Sequence, residues 1–145
     1  MNIACMVLVL LAADDRETKS DLAKFRGSWR FISVITNGAS APQAELKGST
    51  ITNDGNAFTF KDQNSKDPQS SGAGTFRINA TKDPRQLDIT FGTGPDKGQT
   101  LLGIYRFEGD RVRVCLGVPG KPRPTKFEAP AGSGLVLEVL EPIKK

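Results

Sequence analysis

Histidine is absent from all 145 residues of this chain. The usual general base at neutral pH is therefore missing, together with Ser–His and Cys–His nucleophile pairs and the commonest zinc ligand. Paired carboxylates are the remaining acid–base device. Asp54, Asp83, Asp96 and Asp110 fall in predicted turns, and Asp88 and Glu138 at strand positions predicted to face outward, away from the burial that raises a carboxyl pKa. The residues thus predict a non-enzymatic chain with no catalytic residue, no metal site and no cofactor.

Three further constellations are weighed against plainer readings. Gly92-Thr93-Gly94-Pro95-Asp96-Lys97-Gly98 has the composition of a phosphate-binding loop. It joins two predicted strands, lacks a helix N-terminus and includes a proline that cannot donate an amide, so it reads as a hairpin loop. Cys115 is expected to point outward, opposite Ile104 and near Arg106 and Arg113, where positive charge would favour a thiolate if the group were exposed. The plainer reading, a small apolar residue packed under a neighbouring segment, is preferred. Lys121, Arg123 and Lys126 cluster with Phe127 in a proline-rich stretch, 118–133, that could contact an anionic partner. The alternative is a solvated loop whose Phe127 folds back onto a barrel mouth.

The formal charge is +4, but basic residues from Arg16 to Lys145 are interleaved with acids. No basic stripe or motif with stacking aromatics is visible, so nucleic-acid binding is not expected. Residues 1–13 contain no charged side chain and run apolar from Ile3 to Ala13 before Asp14-Asp15-Arg16-Glu17. Such a stretch fits the h-region and small-residue cleavage site of a signal peptide and is too short for the ~20 residues of a membrane-spanning helix. The expected organisation is a signal peptide at 1–13, a polar linker at 14–19 and one domain at 20–141. The product would be exported, to the periplasm or beyond the cell, and would not span a membrane. With Cys5 in the signal, Cys115 would stand alone, and an internal disulfide is not expected.

The elements that must position any site follow from periodicity. Ser20 to Gly27 reads as one or two helical turns: Ser20 as cap, Leu22 and Phe25 on one face, Gly27 as stop. From Gly27 onward the apolar period is two, and no later segment reads as a helix. Eight strands are predicted, at 28–36, 47–52, 57–62, 73–79, 86–91, 100–107, 111–117 and 134–140. Asn79-Ala80-Thr81 between two of them reads as a turn. A tight turn at Gly109-Asp110 would pair Phe107 with Val112, Tyr105 with Val114 and Gly103 with Leu116. One at Asp54-Gly55 would set Ile51 opposite Phe58 and Ser49 opposite Phe60.

The resulting inner face comprises Trp29, Phe31, Ile35, Ile51, Phe58, Phe60, Phe76, Ile78, Leu87, Ile89, Phe91, Tyr105, Phe107, Val112, Val114, Leu116, Leu135, Leu137 and Val139. Short consecutive strands with one apolar face suggest an up-and-down antiparallel barrel, with a sandwich as alternative.

Particular residues add a resemblance. The short helix followed by Gly27-Ser28-Trp29 is similar to the Gly-x-Trp opening of lipocalin-like barrels, in which the Trp plugs one end. Five further segments match in order: Glu45 to Gly48, Gly94 to Gly98 with Leu101 to Tyr105, Gly109 to Val112 with Cys115, Arg123 to Phe127, and Gly132 to Gly134. Together they make the chain, from about Asp21 to Leu140, resemble a family of uncharacterised secreted planctomycete paralogous domains. The resemblance implies a lipocalin-like barrel and no particular ligand or reaction. Residues 141–145 are too few for the long helix that follows the barrel in true lipocalins.

Two functions stay open on the sequence. One is a binding barrel holding a small apolar ligand among Trp29, Phe31, Phe58, Phe60, Phe76 and Tyr105. The other is a solid barrel acting on a protein partner through loop 118–133 or through outer apolar stripes. Ile32, Val34, Val136 and Leu140 would make one such stripe, suited to homodimer formation, and Leu102 and Ile104 a second. An interior cavity of at least ~300 Å³ with a mouth would favour the ligand.

Overall fold

The computed structural model describes residues 16–62, 65–66 and 71–144. The predicted signal peptide and the start of the predicted linker lie outside them. Residues 16–19, expected as linker, are helical: helix α1 spans 16–25 of the described residues, so Ser20 sits inside it and caps nothing. Gly27, at φ +108°, ends the helix as expected, a backbone conformation that suits a residue without Cβ.

The strands are β1 (Gly27–Thr36), β2 (Ala39–Ser40), β3 (Ser49–Asp54), β4 (Ala57–Asp62), β5 (Gly72–Asn79), β6 (Arg85–Phe91), β7 (Thr100–Glu108), β8 (Arg111–Leu116) and β9 (Val136–Pro142). Against expectation, one further helical turn, α2 (Gln43–Leu46), interrupts the stretch after β2. Every pairing is antiparallel and joins neighbours along the chain, β1 pairs with β3, and β9 returns to pair with β1. The result is a closed eight-stranded antiparallel barrel, with β2 as an extra strand on the end of β1. Closure leaves the barrel strands no free edge.

The two argued hairpins fared differently. β7 and β8 pair in the expected register, Phe107 with Val112, Tyr105 with Val114 and Gly103 with Leu116. The β3–β4 pairing is two residues away from expectation: Ile51 faces Phe60, Asn53 faces Phe58 and Ser49 faces Asp62. The corner is formed by Gly55-Asn56, with Gly55 at φ +61°, rather than by Asp54-Gly55. A slip of two leaves each side chain on its expected face, so the core survives the error.

A slip of one occurs in β1 and has larger consequences. Its register against β9 shifts between Phe31 and Ser33, leaving Ile32 as a bulge, and the Gln43 side chain of α2 donates to the Ile32 carbonyl at 3.1 Å. Trp29 and Phe31 precede the bulge and point inward. Beyond it Ile35 pairs with Leu137 on the outer face, while Val34 pairs with Glu138 on the inner one. Within β9, Val136, Glu138 and Leu140 face the interior. The expected inward placement of Ile35, Leu135, Leu137 and Val139 is thereby corrected, as is the outward placement of Val34, Val136, Glu138 and Leu140.

Loop 118–133 explains why β9 can turn Leu137 outward. It lies along the barrel wall, and its Ala129 and Phe127 pack with Ile104, Cys115, Leu137, Ile35 and Leu135 into a second apolar cluster. The expected outer stripes are therefore not exposed: Val34, Val136 and Leu140 are inside, and Ile104 is 1% accessible beneath the loop. Among the described residues the large hydrophobic side chain that remains exposed is Ile143. No described helix is long and apolar enough to cross a membrane.

Candidate functional site

The two ends of the barrel differ. Helix α1 covers the end where β1 begins. Its Phe25 ring packs at 5.0 to 5.8 Å, centroid to centroid, from Phe107, Tyr105 and Phe76, and Leu22 adds to the same core. Trp29 is buried beside it and donates its indole N–H to the Phe25 carbonyl at 2.8 Å; the Asn53 amide donates to that carbonyl at 2.9 Å. Both bonds satisfy a helix C-terminal acceptor that would otherwise be stranded. Asp21 of α1, 1% accessible, accepts from the Tyr105 hydroxyl at 2.8 Å and from Arg85 at 2.5 Å. Burial, with the Asp21 hydrogen bond second, drives the Tyr105 hydroxyl pKa upward, so Tyr105 stays a neutral donor. This network pins the helix across the barrel end.

Toward the opposite end the described residues leave a cavity of about 430 Å³, flanked by Ser71–Ala73 at the start of β5 and by Thr93–Asp96 after β6. Phe31, Phe58, Phe60, Ile89, Phe91 and Leu116 form most of its apolar wall, and Ser71, Thr93 and Asp96 contribute polar groups. Below it, a space of about 60 Å³ continues toward Trp29 and Phe76. The described residues thus leave the interior partly unfilled. Gly72 of β5 lines it without a side chain, and at Gly74, further along the strand, a Cβ would come within 2.8 Å of the Phe58 ring.

One ionisable group stands between the two spaces. Glu138 lines both, and its directly paired neighbours are Val34 on β1 and Val114 on β8. Along β9 its inner-face neighbours are Val136 and Leu140. Among the described residues no hydrogen bond or ion pair reaches its carboxyl group. Burial alone pushes its pKa up to about 7.

Of the residues expected to bind a ligand, Phe31, Phe58 and Phe60 line the cavity, and Trp29 and Phe76 line the deeper space. Tyr105 lines neither and belongs to the α1 network. Leu101, Val136 and Glu138 were missed. Alternation along β9 contained the signal for Glu138, but the set Leu135, Leu137 and Val139 is the more apolar and masked it.

The expected partner-binding loop is largely committed to the barrel itself. Arg123 pairs with Asp88 at 2.7 Å and donates to the Gly103 carbonyl at 2.8 Å. Phe127 lies on the outer wall, not at the mouth, with the Arg106 guanidinium 4.7 Å from its ring centre. Lys121 and Lys126 are exposed. Cys115 is fully buried under the same loop, its thiol 3.5 Å from the Glu128 carbonyl, and burial raises its pKa. The nearby Arg106 and Arg113 engage Glu108 instead. Loop 92–98 is a hairpin connection closed by backbone bonds from Phe91 to Gln99 and from Gly98 to Phe91. The Asn79 side chain accepts from the Thr81 amide at 3.0 Å, as suits a turn.

No cluster of three or more metal-ligating side chains occurs among the described residues. The chain matches no protein-family model, and no curated protein or solved structure matches it.

Proposed function

We propose that this chain is an exported, non-enzymatic, lipocalin-like barrel that binds one small apolar ligand in its interior. The supporting observation is the cavity that the described residues enclose: about 430 Å³, walled by Phe31, Phe58, Phe60, Ile89, Phe91 and Leu116. Small-molecule sites have this size, this apolar character and few polar groups. A barrel serving only as a rigid interaction module gains stability by filling such a space, because apolar voids forfeit packing energy. The apolar run from Ile3 to Ala13 supports export, and the lack of histidine supports a role without catalysis.

The test is titration with the neutral fluorescent probe N-phenyl-1-naphthylamine, alongside native mass spectrometry of the chain purified from its own host. Saturable binding of one probe per chain is expected, with loss of at least tenfold in affinity when Val136→Trp fills the cavity without changing the circular dichroism. An added mass that leaves on denaturation would identify the natural occupant. Non-saturating fluorescence, or a Val136→Trp protein that binds as well as the parent, would overturn the proposal.

A further inference from the structure

The ligand-binding reading leaves the headgroup of the occupant open, and the charge distribution inside the barrel narrows it. The charged residues lining the cavity are Glu138 at its floor and Asp96 in the segment after β6; no described lysine or arginine lines it. A barrel for fatty acids or other anions would be expected to place a cation there, and none of the described residues lining the cavity is one. Glu138 is instead an acceptor enclosed by Val34, Val114, Val136 and Leu140. Of the polar groups nearby, the Asn53 amide is already given to the Phe25 carbonyl. A half-buried carboxyl group facing an apolar cavity with no protein partner is costly to ionise, and a bound cation would supply what the described residues do not.

We propose that the cavity receives an apolar molecule bearing one amine, with the alkyl or aromatic body against the phenylalanine wall and the ammonium group paired with the Glu138 carboxylate. The assignment rests on the ligand-binding reading of the barrel. An ammonium–carboxylate pair at low local dielectric is far stronger than the hydrogen bond of a neutral alcohol in the same place. The described charged groups that an anionic headgroup would meet in the cavity are both carboxylates.

Isothermal titration of the full chain at about pH 7.5 with decylamine, decanol and decanoate tests this, because the three ligands share one chain and differ in headgroup. The amine should bind at least tenfold more tightly than the alcohol, and decanoate most weakly. In Glu138→Gln, which preserves side-chain volume, the preference for the amine over the alcohol should fall to less than about twofold. If the alcohol binds and the amine is no tighter, or if the preference for the amine survives Glu138→Gln, the headgroup assignment is wrong while the binding barrel stands. If none of the three ligands and no naphthyl probe binds, the ligand-binding reading fails and the amine assignment fails with it.

Discussion

Replacing Glu138 by glutamine should change how the stability of the barrel depends on pH, independently of any ligand. Burial raises the carboxyl pKa of Glu138 from the ordinary 4.5 to about 7 in the folded state. Each pH unit between those values is worth ~1.36 kcal/mol, so ionising the group costs the folded barrel up to about 3 kcal/mol more than the unfolded chain. Water entering the cavity lowers that figure, and about 1 to 3 kcal/mol is the working range. The sign follows from proton binding. Between 4.5 and 7 the folded state holds the proton and the unfolded state releases it. The stabilising contribution is therefore complete below pH 4.5, declines as pH rises and is gone above pH 7.

The glutamine side chain introduced by Glu138→Gln does not titrate, so the stability difference between variant and parent should shift in favour of the variant by about 1 to 3 kcal/mol from pH 4.5 to pH 8.5. Urea unfolding at both pH values, followed by the fluorescence of Trp29, the single tryptophan, provides the measurement. Comparing variant with parent at each pH cancels the titration of every other group. A difference that is the same at both pH values would refute the reasoning, because it would mean that Glu138 ionises as freely in the barrel as in the unfolded chain.

Other perturbations probe the framework. Gly74→Ala would set a methyl group 2.2 Å from the Thr90 carbonyl and 2.8 Å from the Phe58 ring, and should lower the urea midpoint by an amount corresponding to about 1 to 3 kcal/mol. Asp21→Ala would leave the buried Tyr105 hydroxyl without its acceptor while Arg85, 36% exposed, keeps Glu17, and should cost about 1 to 3 kcal/mol. Hydrogen exchange should then show residues 16–25 opening before the barrel strands, whereas Tyr105→Phe should cost only about 1 kcal/mol. The Cys115 thiol should react with Ellman's reagent at the rate of local or global opening and become immediately reactive in denaturant, since it is fully buried and its pKa is raised. Immediate reaction in the native state would contradict the placement of loop 118–133.

What could be read from the sequence was what local chemistry enforces. Gly109-Asp110 forms a two-residue corner between alternating strands, and the register of β7 and β8 followed from it residue by residue. Gly27 ended the helix, the Gly92 to Gly98 loop joined strands, and Phe31, Phe58, Phe60 and Phe76 faced inward, because alternation holds wherever one side of a strand is buried and the other is wet. Asp54-Gly55-Asn56 offered two adjacent corners, and local preference did not separate them.

Only the tertiary structure decided which way β9 faces. Its residues alternate between Leu135, Leu137 and Val139 on one side and Val136, Glu138 and Leu140 on the other, and hydrophobicity alone places the first set inside. Two distant features reverse that choice. Pairing of Leu140 with inward-facing Phe31 and Val112, and of Glu138 with Val114, sets the even-numbered residues inside, the bulge at Ile32 turning Ile35 outward to match. Loop 118–133 buries the outer wall with Phe127 and Ala129, making it an apolar environment in its own right. With both faces of the strand covered, burial no longer distinguishes inside from outside, and the closing register of the barrel carries Glu138 into the cavity.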